Sequence, residues 1–327
     1  MAGAIQPGPF TSVRGASDGS RVLDAKPGEP VPGADVAFLV GAGRSGTTLL
    51  QKLLCLHPRI AYISNYESRF TWFPDGLACG AVAGRLQAKL GAWFDKGGNA
   101  YFIGRPWFKK VFPTPAEGES VFASCRIPLF PAMDYHPDAE TSTCLRRRFE
   151  QIRARAGAAV FLSKRTANNR RIRLLSAIFP GARYVHLLRD GRDVAQSLST
   201  VEWWDNHTVW WDGRTPMEME RSGEPRLAIC ARNWVREVQE LQVQLSPVDP
   251  ARLLLLRFED LLSDPLRHLE RVVRFLGVEF SAAYRDAIDS LSLHPVRARW
   301  ASEWDAAQLA CVLSEAQPML RQLGYTG

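Results

Sequence analysis

The sequence predicts an α/β protein in three layers, a central parallel sheet covered by helices on both faces. Two observations carry that prediction. Short apolar runs recur without hydrophobic–polar alternation, as expected of strands buried on both faces: DVAFLV (Asp35–Val40), AAVFLS (Ala158–Ser163), RYVHLL (Arg183–Leu188) and RLLLLRF (Arg252–Phe258). Segments with helical spacing lie between them, so strands and helices alternate as βαβ crossovers require.

Residues 1–33 are rich in Gly, Pro, Ser and Ala and predict a flexible leader. Residues 34–327 then form a single domain. Leu49, Leu50, Leu53 and Leu54 predict a helix of about three turns that ends near His57-Pro58. The stretch from Tyr62 to His136 is aromatic-rich and irregular, with a helix around Val82 to Phe94. Helical spacing returns over Thr143–Ala156 and Arg170–Phe179, and a further helix starts near Asp193. A Trp-rich loop spans Val201–Pro225, followed by a long helix from Leu227 to Gln244. Asp264-Pro265 opens a helix that stops at Gly277, and the last helix runs from Asp305 to Leu323 with Gly324 as its cap.

Composition sets bounds on function. The chain has 327 residues, 46% hydrophobic and 23% charged, with a net charge of +7. Those are globular proportions, and the length is enough for a large core. The basic excess fits an anionic ligand and equally a solvated surface. Its residues are scattered; the densest run, RRRFEQIRAR (Arg146–Arg155), predicts one face of an amphipathic helix and gives no support to nucleic-acid binding. No apolar run is long enough for a membrane span, and the N-terminus lacks a signal-peptide core. A cytoplasmic protein is expected, with its six cysteines reduced, since no CxxC or metal-ligand spacing occurs among them.

GAGRSGTT (Gly41–Thr48) joins the first strand to its helix. Glycines there let backbone N–H groups converge on an anion, and the helix N-terminus adds positive potential. The run approaches the phosphate-binding pattern G-x-x-x-x-G-K-[ST], but Thr47 occupies the lysine slot and Arg44 supplies a cation earlier. A simple turn between strand and helix is the competing reading. Arg189 stands where the third strand ends, with Ser197 a turn inside the next helix, so the pair is placed to grip a phosphate at a carboxyl edge. The competing reading is an Arg189 pair with Asp190 or Asp193 that only stiffens a turn. Lys164 lies just past the second strand, at the same edge.

Together these segments resemble the sulfotransferases that use 3′-phosphoadenosine 5′-phosphosulfate (PAPS), in the GxxRSGTT branch that includes protein-tyrosine and bacterial sulfotransferases. GAGRSGTTLLQKLLCLHP resembles the 5′-phosphosulfate segment and FPGARYVHLLRDGRDVAQSL the 3′-phosphate segment. LLLLRFEDLLSDPLRHLERVVRFLGVEF resembles the RYEDL segment with its helix, and RARW (Arg297–Trp300) the C-terminal end. The resemblance implies a P-loop-NTPase-like fold. It implies donor binding by Arg44, Ser45, Gly46, Thr47, Thr48, Arg189, Ser197, Phe258 and Arg299, with no metal. Phe258 stands where the family has a tyrosine, and an arginine found beyond the Ser197 position in near relatives has no counterpart in SLSTVEWW. Lys164 is expected to face the bridging oxygen, with Arg44 as a second cation at the reacting group. A phosphosulfate lacks a γ-phosphate, which accounts for a loop without the lysine.

The base implied by the resemblance is Glu67, in a Glu-Ser-Arg triplet two residues farther from His57-Pro58 than in tyrosine-sulfating relatives; a surface Glu67–Arg69 pair is the competing reading. His57 and His207 are the other candidates. The acceptor pocket is expected from segments 66–140 and 201–225. EWWDNHTVWW (Glu202–Trp211) holds four of the ten tryptophans, as an aromatic lid or as packing against the following helix. A lid favours a small acceptor with a flat or apolar part, such as a phenol or lipid-like alcohol. A P-loop kinase or NTPase, and a non-catalytic nucleotide-binding protein, are the alternatives.

Overall fold

The computed structural model describes residues 35–70, 93–94, 113–132, 134–294 and 298–325. The expected leader and nearly all of the expected 82–94 helix lie outside those residues. Five strands form one parallel sheet: β1 (Val36–Val40), β2 (Ile60–Tyr62), β3 (Val160–Lys164), β4 (Arg183–Leu188) and β5 (Leu253–Arg257), in the order β2-β3-β1-β4-β5. β2 was not anticipated. Three residues directly after His57-Pro58-Arg59 are too short a run to show a period.

The helices are α1 (Thr47–Cys55), α2 (Asn65–Arg69), α3 (Glu119–Ser124), α4 (Ala139–Arg155), α5 (Ile172–Ile178), α6 (Gly191–Ser199), α7 (Pro216–Arg221) and α8 (Arg226–Leu245). They continue with α9 (Phe258–Ser263), α10 (Pro265–Phe275), α11 (Ala282–Asp289), α12 (Arg299–Glu303) and α13 (Ala306–Gln322). α4 starts four residues earlier than its periodicity suggested, because the Asp138 carboxylate caps the Thr141 N–H at 2.7 Å. The expected Trp-rich loop is partly ordered: a 3₁₀ turn covers Glu202–Asn206, and α7 opens on a Thr215–Glu218 capping box. Among the described residues no helix is long and apolar enough to cross a membrane.

The unbroken apolar runs have a direct cause. In β1, Ala37 and Leu39 enter the core on one face of the sheet, while Val36, Phe38 and Val40 enter the core on the other. With both faces covered, alternation disappears. A third cluster packs α6 against α8 and α13, with Trp234 fully buried.

One expectation about cysteines is overturned. Cys125 and Cys144 form a disulfide with Cα atoms 5.5 Å apart. They lie 19 residues apart in sequence. The packing of the α3 end on α4 brings them together, which no short-spacing rule detects. Cys55 and Cys230 are buried free thiols, and Cys311 is a partly exposed one.

β1 is central, β3 pairs one edge and β4 the other, so the chain's connections diverge at the carboxyl end of β1. Open α/β sheets bind ligands at such a divergence. The turn between β1 and α1, Lys164 at the end of β3 and Arg189 just past β4 all meet there.

Candidate active site

The β1–α1 turn is shaped by two left-handed residues, Arg44 at φ 69° and Gly46 at φ 90°. Arginine rarely adopts this conformation, so the surroundings must hold it. They do so from three sides. Asn169 clamps Gly41, accepting from its N–H at 3.2 Å and donating to its carbonyl at 3.0 Å. Arg189 Nη1 donates to the Arg44 carbonyl at 3.1 Å. The Phe258 ring lies so close under Gly46 that a Cβ there would fall 2.3 Å from Cε2.

α1 begins with no side-chain cap and no acidic residue in its first turn. Its initial N–H groups lack helical partners, so the positive end of the helix opens toward the cavity. Thr47 and Thr48 line that opening, whereas Ser45 is buried and is not among the residues lining the cavity.

The two expected anion-binding segments, from Gly41 and from His186, converge. Arg44 Nε donates to Ser197 Oγ at 3.0 Å across 153 residues of sequence. Arg189 stacks over Phe258, 4.8 Å from the ring centroid. Burial lowers the Arg189 pKa, opposed by the nearby Asp193 and Glu259 carboxylates. Burial pushes Asp193 up to about 6, which nearby Arg189 partly offsets. The turn-stiffening role expected as the alternative for Arg189 belongs to Arg192, whose guanidinium grips the Asp190 carboxylate at 2.7 Å.

Lys164 is nearly buried. Its Nζ donates to Thr48 Oγ1 at 3.2 Å and to Glu117 Oε1 at 2.5 Å, and Arg165 Nη1 donates to the other Glu117 oxygen at 3.1 Å. These groups face a cavity of about 550 Å³, within the usual size of a ligand pocket. Five Lys and Arg side chains line it against two carboxylates, Glu117 and Glu237. An uncapped helix start, a tight cradle at Gly46 and this cationic excess fit a ligand carrying more than one anionic group, such as PAPS.

The far wall is aromatic. Phe130 and Trp210 flank the Arg170 guanidinium at 4.9 and 5.1 Å. His207 stacks on Trp204 at 5.5 Å, and burial lowers its pKa, followed by the charge of Arg170. The tryptophans divide between lid and packing. Trp203 is 57% exposed at the rim, whereas Trp211 is tied to Asn233 at 2.9 Å and Trp210 to Glu237 at 2.6 Å. Of the other expected segment, 66–140, Glu117, Leu129 and Phe130 line the cavity, while residues 71–92, 95–112 and 133 lie outside the described residues.

Three sequence candidates do not reach the cavity. Glu67 is fully buried, and its Oε2 accepts from the Ser64 N–H at 2.8 Å and from the Ser64 hydroxyl, closing the capping box of α2. Arg299 turns outward to Glu303 at 2.9 Å, with a side chain 63% exposed. His57 accepts from the Arg59 N–H at 3.0 Å, so its other nitrogen donates to the Glu279 carbonyl at 2.8 Å, and burial lowers its pKa. It locks the end of α1 to the turn before α11.

Glu117, Arg170 and Glu237 line the cavity without having been singled out from the sequence. Glu237, on α8, accepts from Arg170 at 2.9 Å, Trp210 at 2.6 Å and Asn169 at 2.9 Å, and so reaches the loop through the Asn169 clamp. A lone glutamate inside a long helix gives no sequence signal of this role.

A family model described as "Sulfotransferase family" matches residues 37–282. Among solved structures, sulfotransferase STF9 from Mycobacterium avium aligns with a TM-score of 0.54 at 16% identity, covering 92% of this chain and 78% of its own. At that identity the likeness is one of fold. Sulfotransferase STF1 from Mycobacterium tuberculosis aligns with a TM-score of 0.49 at 16% identity, over 89% of this chain and 76% of its own. Mouse sulfotransferase SULT7A1, solved with PAP, aligns with a TM-score of 0.40 at 11% identity, over 90% and 89%. The family match runs through the Gly41–Thr48 loop, Lys164, Arg189, Ser197 and Phe258 and takes in most of the sequence: the chain belongs to the sulfotransferase family.

Proposed function

We propose that this protein moves a sulfuryl group from PAPS to a hydroxyl on a small acceptor with an aromatic or apolar part. The observation that carries the reading is the convergence of two anion-binding segments at Arg44 and Ser197, beside a loop with no lysine at position 47. A 5′-phosphosulfate and a 3′-phosphate on one nucleotide call for two neighbouring anion sites.

In this reading the Gly46–Thr48 amides and hydroxyls hold the 5′-phosphosulfate together with Arg44. Arg189 and Ser197 hold the 3′-phosphate, and the Phe258 ring supports both the loop and Arg189. Lys164 neutralises the charge that grows on the bridging oxygen as its bond to sulfur breaks. Ser45, being buried, takes part through its backbone. Glu67 and Arg299, assigned roles by resemblance, would need to turn toward the cavity to serve them. The acceptor lies against Phe130, Trp203 and Trp210, which favours a flat or apolar molecule.

Calorimetric titration with 3′-phosphoadenosine 5′-phosphate (PAP), beside ATP and with EDTA present, tests the donor. Tight binding of PAP and weak binding of ATP is the expected result. Binding of ATP alone, and only with Mg²⁺, would refute it and favour the kinase alternative. A panel of phenols, alcohols and sugars tests the acceptor class; sulfation of sugars only would refute an apolar acceptor. The Cys125–Cys144 disulfide favours oxidising surroundings over the cytoplasm expected from the sequence.

A further inference from the structure

Sulfuryl transfer to a hydroxyl needs a group to receive the proton. The entering and leaving oxygens flank the same sulfur atom, so that group must stand close to the lysine that faces the leaving oxygen. Among the described residues two carboxylates line the cavity, and their surroundings differ. Glu237 has a side chain only 6% exposed, and both its oxygens are taken by Arg170, Trp210 and Asn169. Glu117 is 39% exposed, opens on the cavity and lies 2.5 Å from Lys164 Nζ.

Glu117 is also held in place. Arg165 grips its second oxygen at 3.1 Å. The next residue, Gly118, turns the chain at φ 67° into α3. Glu119 then pairs with Arg171 at 2.7 Å and with Arg165 at 2.5 Å, anchoring the segment to the 3₁₀ turn after β3. A short charged stretch is thereby fixed against the strand that carries Lys164.

We propose that Glu117 is the proton acceptor of the reaction, a proposal that rests on the sulfuryl-transfer reading above. The acceptor oxygen forms its bond to sulfur while its proton passes to Glu117 Oε1. The bond between sulfur and the bridging oxygen breaks, and its electron pair stays on the 5′-phosphate of the departing PAP. Lys164 links the two halves of the step. As it turns from Glu117 toward the negative bridging oxygen, it uncovers Glu117 Oε1 to receive the proton.

Glu117→Gln keeps the size of the side chain and an oxygen for Lys164. PAP affinity is measured by calorimetry, and release of PAP from PAPS is followed from pH 5 to 9 with water and with 2-naphthol as acceptors. The expected result is PAP affinity within about threefold of the unmodified protein, PAP release down by about a hundredfold or more, and loss of the acid limb of the rate profile. Glu117→Gln within about threefold of the unmodified rate, with that limb intact, would overturn the proposal. So would a larger loss, with removal of the limb, in His207→Gln or Glu67→Gln than in Glu117→Gln. An unmodified protein that binds PAP and releases none from PAPS with either acceptor overturns it as well. Failure of the unmodified protein to bind PAP would instead refute the sulfotransfer reading itself.

Discussion

An alanine at Gly46 would place its Cβ 2.3 Å from Cε2 and 2.5 Å from Cδ2 of Phe258, at a residue with φ 90°. Two costs add. Holding an L-residue in the left-handed region costs about 1–2 kcal/mol. Forcing a methyl group into a packed ring costs about 1–3 kcal/mol more. Gly46→Ala is therefore expected to lose about 2–5 kcal/mol of stability. Phe258→Ala alone removes a ring that is 7% exposed, at about 3–5 kcal/mol. In the double variant the collision is gone and the backbone cost stays, so the pair should cost about 1–3 kcal/mol less than the sum of the singles. Urea unfolding of the four proteins gives the coupling directly. PAP affinity should fall in Gly46→Ala and recover in part in the double variant. Costs that add within about 0.5 kcal/mol would refute the idea that Phe258 sets the shape of the loop.

Glu237→Gln leaves the nearly buried Arg170 without its charge partner and disturbs the Asn169 clamp on Gly41; a loss of about 3–5 kcal/mol with weaker PAP binding is expected, read by urea midpoints and calorimetry. Cys144→Ser should cost about 3 kcal/mol through the freed loop, and thiol trapping in intact cells should find Cys125 and Cys144 protected. Burial lowers His186 to about 4, so the folded chain refuses a proton that the unfolded chain takes up below about 6.5. Stability should therefore fall on acidification between those values, by up to about 3 kcal/mol, and His186→Leu should flatten that slope in urea titrations. Asp193, raised to about 6, acts in the opposite sense, its stabilisation being lost as pH rises from about 4 through 6; Asp193→Asn should steepen the acid loss.

Much of the fold was legible because buried strands and amphipathic helices leave repeating local marks. β1, β3, β4 and β5 were found as apolar runs, and α8 and α13 nearly to the residue. β2 left no mark at three residues. The site was legible where it is local, in Gly41–Thr48, and where it sits at a strand end, in Lys164 and Arg189. What stayed hidden is the pairing of distant residues: Lys164 with Glu117, Glu237 with Asn169, Cys125 with Cys144. Glu67 teaches a different lesson. Ser64-Asn65-Tyr66-Glu67 is an S-x-x-E capping pattern visible in the sequence, and the structure uses it as one.

The Arg44–Ser197 bond and the contact of Phe258 with Gly46 span long reaches of the chain. The loop that leaves the ribosome early is therefore a poor trap while the chain is being made. Asn169, Arg189, Ser197 and Phe258 must all emerge and dock before the left-handed turn at Arg44 is held. On the proposed reading, PAP binding would mark the end of folding, and PAP at a hundred times its Kd would add about 2.7 kcal/mol to the finished molecule only. Nascent chains halted before residue 258 should pass over a PAP resin, and completed chains should stay on it.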